Sequence, residues 1–286
     1  MSSSRTRKTR IDTDEFKCIY YDNDSKYKMK LYSKEYELNH LYASGGFSYI
    51  YLLDINDNPF IIKITSLPSP EIAILKKING LSTSNPHFYK MLDNFKCKKL
   101  NQNIPSIPIP SYIPSYLLES DYEIIKLEYI PFTLSKIFKE DLNEEKQRSI
   151  CQQLYISILS FHLIGYAHND VKRDNFLVAK TETPFFNYTI FGQKYSIKTF
   201  GYNVKIIDYG LAEPINSRNL LDDYLLLSSS LQNITFDFPS LKTIGTINSQ
   251  IYKMLENKDA NNLNDEIIFN EINKILQIPN ENVIIE

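Results

Sequence analysis

The chain has 286 residues, 43% hydrophobic and 23% charged, with a formal net charge of −2. That length suits one two-lobed domain or two small domains with a sizeable core, and the balanced charge gives no general pull toward nucleic acid or an anionic membrane. No run of about 18 apolar residues is present to span a bilayer, and the N-terminus lacks the apolar stretch of a signal peptide.

Residues 1–12 are polar and basic and read as a disordered tail, with nuclear targeting or an acidic partner as the alternative role. Cys18, Cys97 and Cys151 are odd in number and far apart. Their spacing suggests neither a disulfide framework nor a zinc site, so a reducing, cytoplasmic compartment is the default expectation.

Residues 36–66 read as strands. Ile50-Tyr51-Leu52-Leu53 and Phe60-Ile61-Ile62 are apolar and strand-prone, with a turn at 56–59 between them. Ser69-Pro70-Glu71 marks a helix start, Ile74, Leu75 and Ile78 form its apolar side, and Gly80 ends it. A strand is expected over 88–97. Residues 101–114 carry Pro105, Pro108, Pro110 and Pro114 and read as an inserted loop. Another strand is expected from Tyr122 to Glu128. Asp141-Leu142-Asn143-Glu144 offers a capping box for a helix with its stripe at Ile150, Leu154, Ile158 and Phe161. Residues 185–200 suggest a strand pair turning at Phe191-Gly192-Gln193, and 204–207 a further strand. Helical patterns follow over 222–231, 240–257 and 265–277.

The densest chemistry lies at His168-Asn169-Asp170-Val171-Lys172-Arg173-Asp174-Asn175, followed by Asp208-Tyr209-Gly210. Phosphoryl transfer needs a carboxylate for the acceptor hydroxyl, a cation for the moving group and metal ligands. These two runs resemble the H-R-D-x-K-x-x-N and D-F-G signatures of the protein kinases. The resemblance extends over nearly the whole chain from about residue 36. It implies an α+β, two-lobed protein-kinase-like fold with a small β-rich N-lobe (13–129) and a mainly helical, shortened C-lobe (130–286) carrying the 185–200 insert.

The resemblance also implies roles. Asp170 would be the catalytic base and Lys172 would neutralise the γ-phosphate, as in serine/threonine kinases; Asn175 and Asp208 would hold Mg²⁺. Ala43, Gly45, Gly46, Phe47, Ser48 and Ile50 resemble the glycine-rich loop over ATP, although Ala43 and Ser48 stand at two of its glycine positions. Lys63 resembles the lysine that holds the α/β-phosphates. Glu71 would be its ion-pair partner, or else an acid serving only the helix dipole. Leu127, Glu128 and Ile130 resemble the adenine-binding hinge, and Asp223 the aspartate that braces the catalytic loop. His168 would be structural, and His40, His87 and His162 show no metal pattern.

Asn169 stands where the kinases carry an Arg that pairs with an activation-segment phosphate, and the stretch after Asp208 is too short for an ordinary activation segment. D-V-K-x-x-N-F-L with D-Y-G-L-A resembles the casein-kinase and vaccinia-related kinase groups. The insert and the short segment are similar to atypical kinases of large DNA viruses. The expectation is a constitutively active, ATP- and Mg²⁺-dependent serine/threonine protein kinase acting on a protein substrate, with no nucleic-acid or membrane partner. A pseudokinase binding module and a small-molecule kinase of the aminoglycoside or choline type are the alternatives.

Overall fold

The computed structural model describes residues 18–22, 26–44, 48–55, 58–81, 85–100, 111–256, 258 and 264–279. The basic tail, Gly45, Gly46, Phe47 and positions 101–110 of the proline-rich insert lie outside them. The chain forms two compact units, residues 1–69 with 92–127 and residues 70–91 with 128–286.

The first unit is β-rich. β1 (Ile19–Tyr21), β2 (Tyr27–Leu31) and β3 (Lys34–Glu37) form an antiparallel sheet. Sequence patterns start the strands at residue 36, so most of this sheet precedes them. A second sheet has the order β4-β5-β6-β8-β7, from β4 (Ala43–Ser44), β5 (Ser48–Ile55), β6 (Asn58–Ser66), β7 (Met91–Cys97) and β8 (Tyr122–Glu128). Strand alternation decides which side chains are buried together. Tyr51 from β5, and Phe60, Ile62 and Ile64 from β6, join Met29, Leu31, Tyr122 and Ile124 in one core. The Tyr122 hydroxyl accepts from the Ile19 amide at 3.0 Å.

Cys18 and Cys97 are disulfide-bonded in this core. That corrects the expectation of unpaired cysteines and removes the cysteine argument for a reducing compartment. The partners lie 79 positions apart in sequence, so no local spacing could reveal the pair. Cys151 is free and buried, and burial pushes its thiol up to about 12.

The second unit is mainly helical. α1 (Pro70–Asn79) starts at the proline and stops before Gly80. β9 (Phe132–Thr133) and α2 (Leu134–Ile137) lead to α3 (Glu144–Leu163). The cap of α3 is Asn143, whose side chain accepts from the Lys146 amide, rather than a box begun by Asp141. Ile150, Leu154, Ile158 and Phe161 are fully buried, as their spacing predicts.

β10 (Tyr166–Ala167), β11 (Phe176–Lys180), β12 (Phe185–Ile190), β13 (Gln193–Lys198), β14 (Tyr202–Ile206) and β15 (Glu213–Pro214) follow. β12 and β13 form the expected inserted hairpin. Its two turn residues, Phe191 and Gly192, have φ of 48° and 79°, the positive-φ pair of a tight hairpin turn. Gln153 of α3 holds β14, accepting from the Val204 amide at 2.9 Å and donating to the Tyr202 carbonyl at 3.2 Å.

α4 (Ser217–Asp237), α5 (Lys242–Glu256) and α6 (Asp265–Leu276) complete the unit. α4 starts earlier than the sequence pattern near Asp222, because Asn216 accepts from the Arg218 and Asn219 amides and caps it there. A β-rich first unit and a mainly helical second unit give the α+β class that the motifs imply.

Candidate active site

The second unit builds the candidate catalytic loop from the end of α3. Gly165, at φ 93°, turns the chain out of the helix, and its amide donates to the His162 carbonyl at 2.7 Å. β10 pairs with β15, and the loop begins at once. The carboxylate of Asp223, on α4 and fully buried, accepts from the His168 amide at 2.6 Å and from the Asn169 amide at 2.8 Å. Asp223 thus braces the loop as expected.

Asn169 has φ 61°, which a non-glycine residue adopts at a cost and only where its surroundings hold it. Its side chain donates to the Leu211 carbonyl at 3.1 Å. Beyond this bend, Asp170 Oδ2 lies 2.6 Å from Lys172 Nζ and 2.9 Å from Asn175 Nδ2. Asn175 Nδ2 also donates to the Asp170 main-chain oxygen at 2.7 Å. The D-x-K-x-x-N spacing therefore wraps a cation and an amide around one carboxylate. The Lys172 side chain is half exposed, so the pair adds little stability and its value is positional.

β14 delivers Asp208 beside this loop. The Ile207 amide donates to the Asn175 carbonyl at 2.9 Å, which ties the two motifs together. Asp208 has φ 65°, a second left-handed non-glycine residue at the site. Tyr209 is buried and stacks on Phe161 at 5.0 Å between ring centroids. Burial pushes its phenol well above the ordinary range, with smaller contributions from Glu71 and Glu128 in the same direction.

Asn175 and Asp208 offer oxygen donors of the hard type that Mg²⁺ takes. Both bonds from the Asn175 side chain to Asp170 use Nδ2, which leaves its side-chain oxygen as the atom that would face a metal. With the Asp208 carboxylate this supplies hard oxygen donors, and such metal ions take the rest of their shell from water and phosphate. Among the described residues no group of three or more His, Cys, Asp or Glu side chains is placed to hold a metal alone.

His168 and His87 are held by hydrogen bonds within the second unit. His168 Nε2 donates to the Ile207 carbonyl at 2.9 Å, its Nδ1 accepts from the Asp170 amide at 3.3 Å, and burial lowers its pKa. His87 bonds the Val204 carbonyl and the Tyr188 hydroxyl, which anchors the inserted hairpin.

Of the residues expected to form a hinge, Leu127 belongs to the first unit and Glu128 to the second. Leu127 is buried in β8. Glu128 is heavily engaged. Its amide donates to the Lys90 carbonyl at 3.2 Å, and its carbonyl accepts from the Tyr89 hydroxyl at 2.6 Å. Its Oε1 accepts from Lys205 Nζ at 2.7 Å and from the Lys90 amide at 2.8 Å. Ile130 is buried in the connector that follows.

In the first unit, Ala43 pairs with Ile50 and Ile50 with Lys63. Directly paired residues point to the same face, so these three form one row across β4, β5 and β6. That row is on the face opposite the Tyr51, Ile62 and Ile64 core. Ser48 lies on the same strand face as Ile50 and is buried. Lys63 is only 7% exposed and is not an ordinary surface lysine. Glu71, in the first turn of α1 in the second unit, is 4% exposed.

Sequence reasoning missed three residues around the site. Lys205 was one polar letter in an apolar strand, although a buried lysine signals a partner. His162 and Asp265 carried no local pattern at all.

No protein-family model matches this chain, and no curated protein matches it. Among solved structures, the chain is similar to WaaP in complex with acyl carrier protein, with 11% identity and a TM-score of 0.47 over 83% of this chain and 87% of that one. At that identity and score the likeness carries nothing about activity.

Proposed function

We propose that this chain is an ATP- and Mg²⁺-dependent phosphotransferase that moves the γ-phosphoryl group to a hydroxyl, with a serine or threonine of a protein as the acceptor. The observation that carries this reading is the contact of Asp170 with both Lys172 and Asn175 on a loop braced by Asp223. Bound Mg²⁺–ATP would supply the transferable group and offset its charge. The chain would do the rest by positioning and electrostatics. Asp170 would orient the acceptor hydroxyl and receive its proton. Lys172, half exposed, would turn its ammonium from Asp170 toward the transferring group. Asn175 and Asp208 would hold the metal, and Lys63 with the row Ala43 and Ile50 would receive the nucleotide. The lysine at Lys172 favours the serine/threonine type, and the resemblance to atypical viral kinases rests on the inserted hairpin and the short stretch after Asp208.

A second reading, a small-molecule hydroxyl kinase, has one observation in its favour. Only Tyr209–Asn216 lies between Asp208 and the start of α4, which leaves little chain to cradle an extended peptide. The test is ATP turnover with and without Mg²⁺, offered a generic acceptor protein and, separately, small alcohols and amines. Phosphoserine or phosphothreonine on the protein supports the first reading. Turnover only with small acceptors supports the second. Metal-independent ATP binding without turnover points to a pseudokinase.

A further inference from the structure

His162 sits near the end of α3, with both ring nitrogens on carboxylates. Nε2 is 3.0 Å from Asp223 Oδ2, and Nδ1 is 2.9 Å from Asp265 Oδ1. A carboxylate offers no proton, so both nitrogens must donate and the ring is an imidazolium. The His162 side chain is fully buried. Asp223 in turn accepts the His168 and Asn169 amides, the residues just before Asp170. A chain of contacts therefore runs from α6 through α3 and α4 to the catalytic loop. All of it lies within the second unit.

We propose that Asp265 is a positioning residue for the catalytic loop: it holds the His162 ring in its doubly donating form, and that ring holds the carboxylate that fixes the loop backbone. This rests on the reading of Asp170 as the catalytic carboxylate. Asp223 alone would be a buried anion facing two amides. His162 shares its charge, and Asp265 balances the ring from the other side. The Tyr224 hydroxyl adds a contact to Asp265 at 3.4 Å, and the Tyr224 ring meets His162 edge-on.

The cluster has a titration sense. Burial by itself lowers the pKa of His162, but the hydrogen bonds and charges of Asp223 and Asp265 outweigh it and raise it from the ordinary histidine value. The charged groups that act on the ring are Asp223 from α4 and Asp265 from α6; Tyr224 packs against it as a neutral phenol. A raised pKa means that the ring's contribution is complete below the ordinary histidine range. It is lost as pH rises through the raised value.

The experiment uses the full chain and Asp265→Asn. Asparagine keeps the shape but removes the charge that holds the proton on His162. The variant is expected to lose kcat about tenfold or more, since misplacing a catalytic group by about 1 Å costs about 100-fold. Its KM for ATP should not change, and the alkaline fall of kcat should begin at lower pH than in wild type. Asp265→Glu, which keeps the charge, should restore the wild-type pH profile. A lower melting temperature with unchanged kcat and pH profile would overturn the proposal. If Asp265→Asn does not fold, wild-type amide exchange decides the matter. Protection of the His168 and Asn169 amides, corrected for intrinsic exchange, should fall as the His162 ring loses its proton by NMR. Constant protection through that transition would also overturn it. Absence of phosphoryl transfer by wild type would instead sink the functional reading, and the exchange measurement would still judge the relay.

Discussion

The side-chain amide of Asn169 donates to the Leu211 carbonyl at 3.1 Å, fastening the loop of Asp170 to the segment that follows Asp208. A neutral residue makes this link at the position where the motif resemblance would place a phosphate-binding arginine. The segment needs no added charge to reach this arrangement. Freshly purified protein should therefore keep its initial rate after phosphatase treatment and phosphatase removal, and Ser217→Ala should behave as wild type. Asn169→Ala should lower turnover. A large loss in both the dephosphorylated protein and Ser217→Ala would overturn constitutive activity.

On the proposed reading the Asp170 carboxylate would serve the acceptor, so Asp170→Ala is expected to reduce transfer by about 10²–10⁴-fold and leave nucleotide affinity nearly unchanged. Asn175 keeps its bond to the main-chain oxygen of residue 170 in that variant, so the loop has a remaining anchor. Steady-state kinetics with a nucleotide-binding assay separates the two effects. Wild-type turnover would remove Asp170 from the chemistry.

ATP should raise the melting temperature only when divalent metal is present, since a ligand that binds the native state stabilises it. Asp208→Asn should weaken that response at fixed Mg²⁺. Equal stabilisation in excess chelator would count against the roles of Asn175 and Asp208 and favour a nucleotide-binding module without transfer.

The disulfide between Cys18 and Cys97 joins two residues of the first unit and closes a long loop of the chain. Replacing both residues by alanine should cost about 2–4 kcal/mol, largely by releasing the unfolded chain. Urea unfolding of the two forms, followed by a probe in the first unit, measures this. Coincident midpoints would show that the bond contributes nothing.

His87 should remain neutral well below neutrality. Burial lowers its pKa to about 4, against a weaker opposing bond to the Val204 carbonyl. The neutral ring's stabilisation is complete above the ordinary histidine value and declines as pH falls from there toward about 4. An NMR titration of the imidazole checks the value directly. Titration near the ordinary value would mean that the contact with Tyr188 and Val204 is not held in solution.

Short-range features were legible in the chain. Pro70 pre-sets the first turn of α1, a positive-φ pair closes the inserted hairpin at Phe191 and Gly192, and the spacing of Ile150, Leu154, Ile158 and Phe161 lays one stripe into the core. Lys172 and Asn175 meet Asp170 because two and five residues of one loop can curl around a single carboxylate. Other features depended on distant packing. Cys18 finds Cys97, Lys205 finds Glu128, and His162 finds Asp265 across 103 positions only when their strands and helices are assembled. Local pattern encodes dihedral preference and the burial of one face, and both act over a few residues. A buried charge is different: its cost is set by whichever partner the fold brings to it, so the pairing emerges only in the tertiary structure.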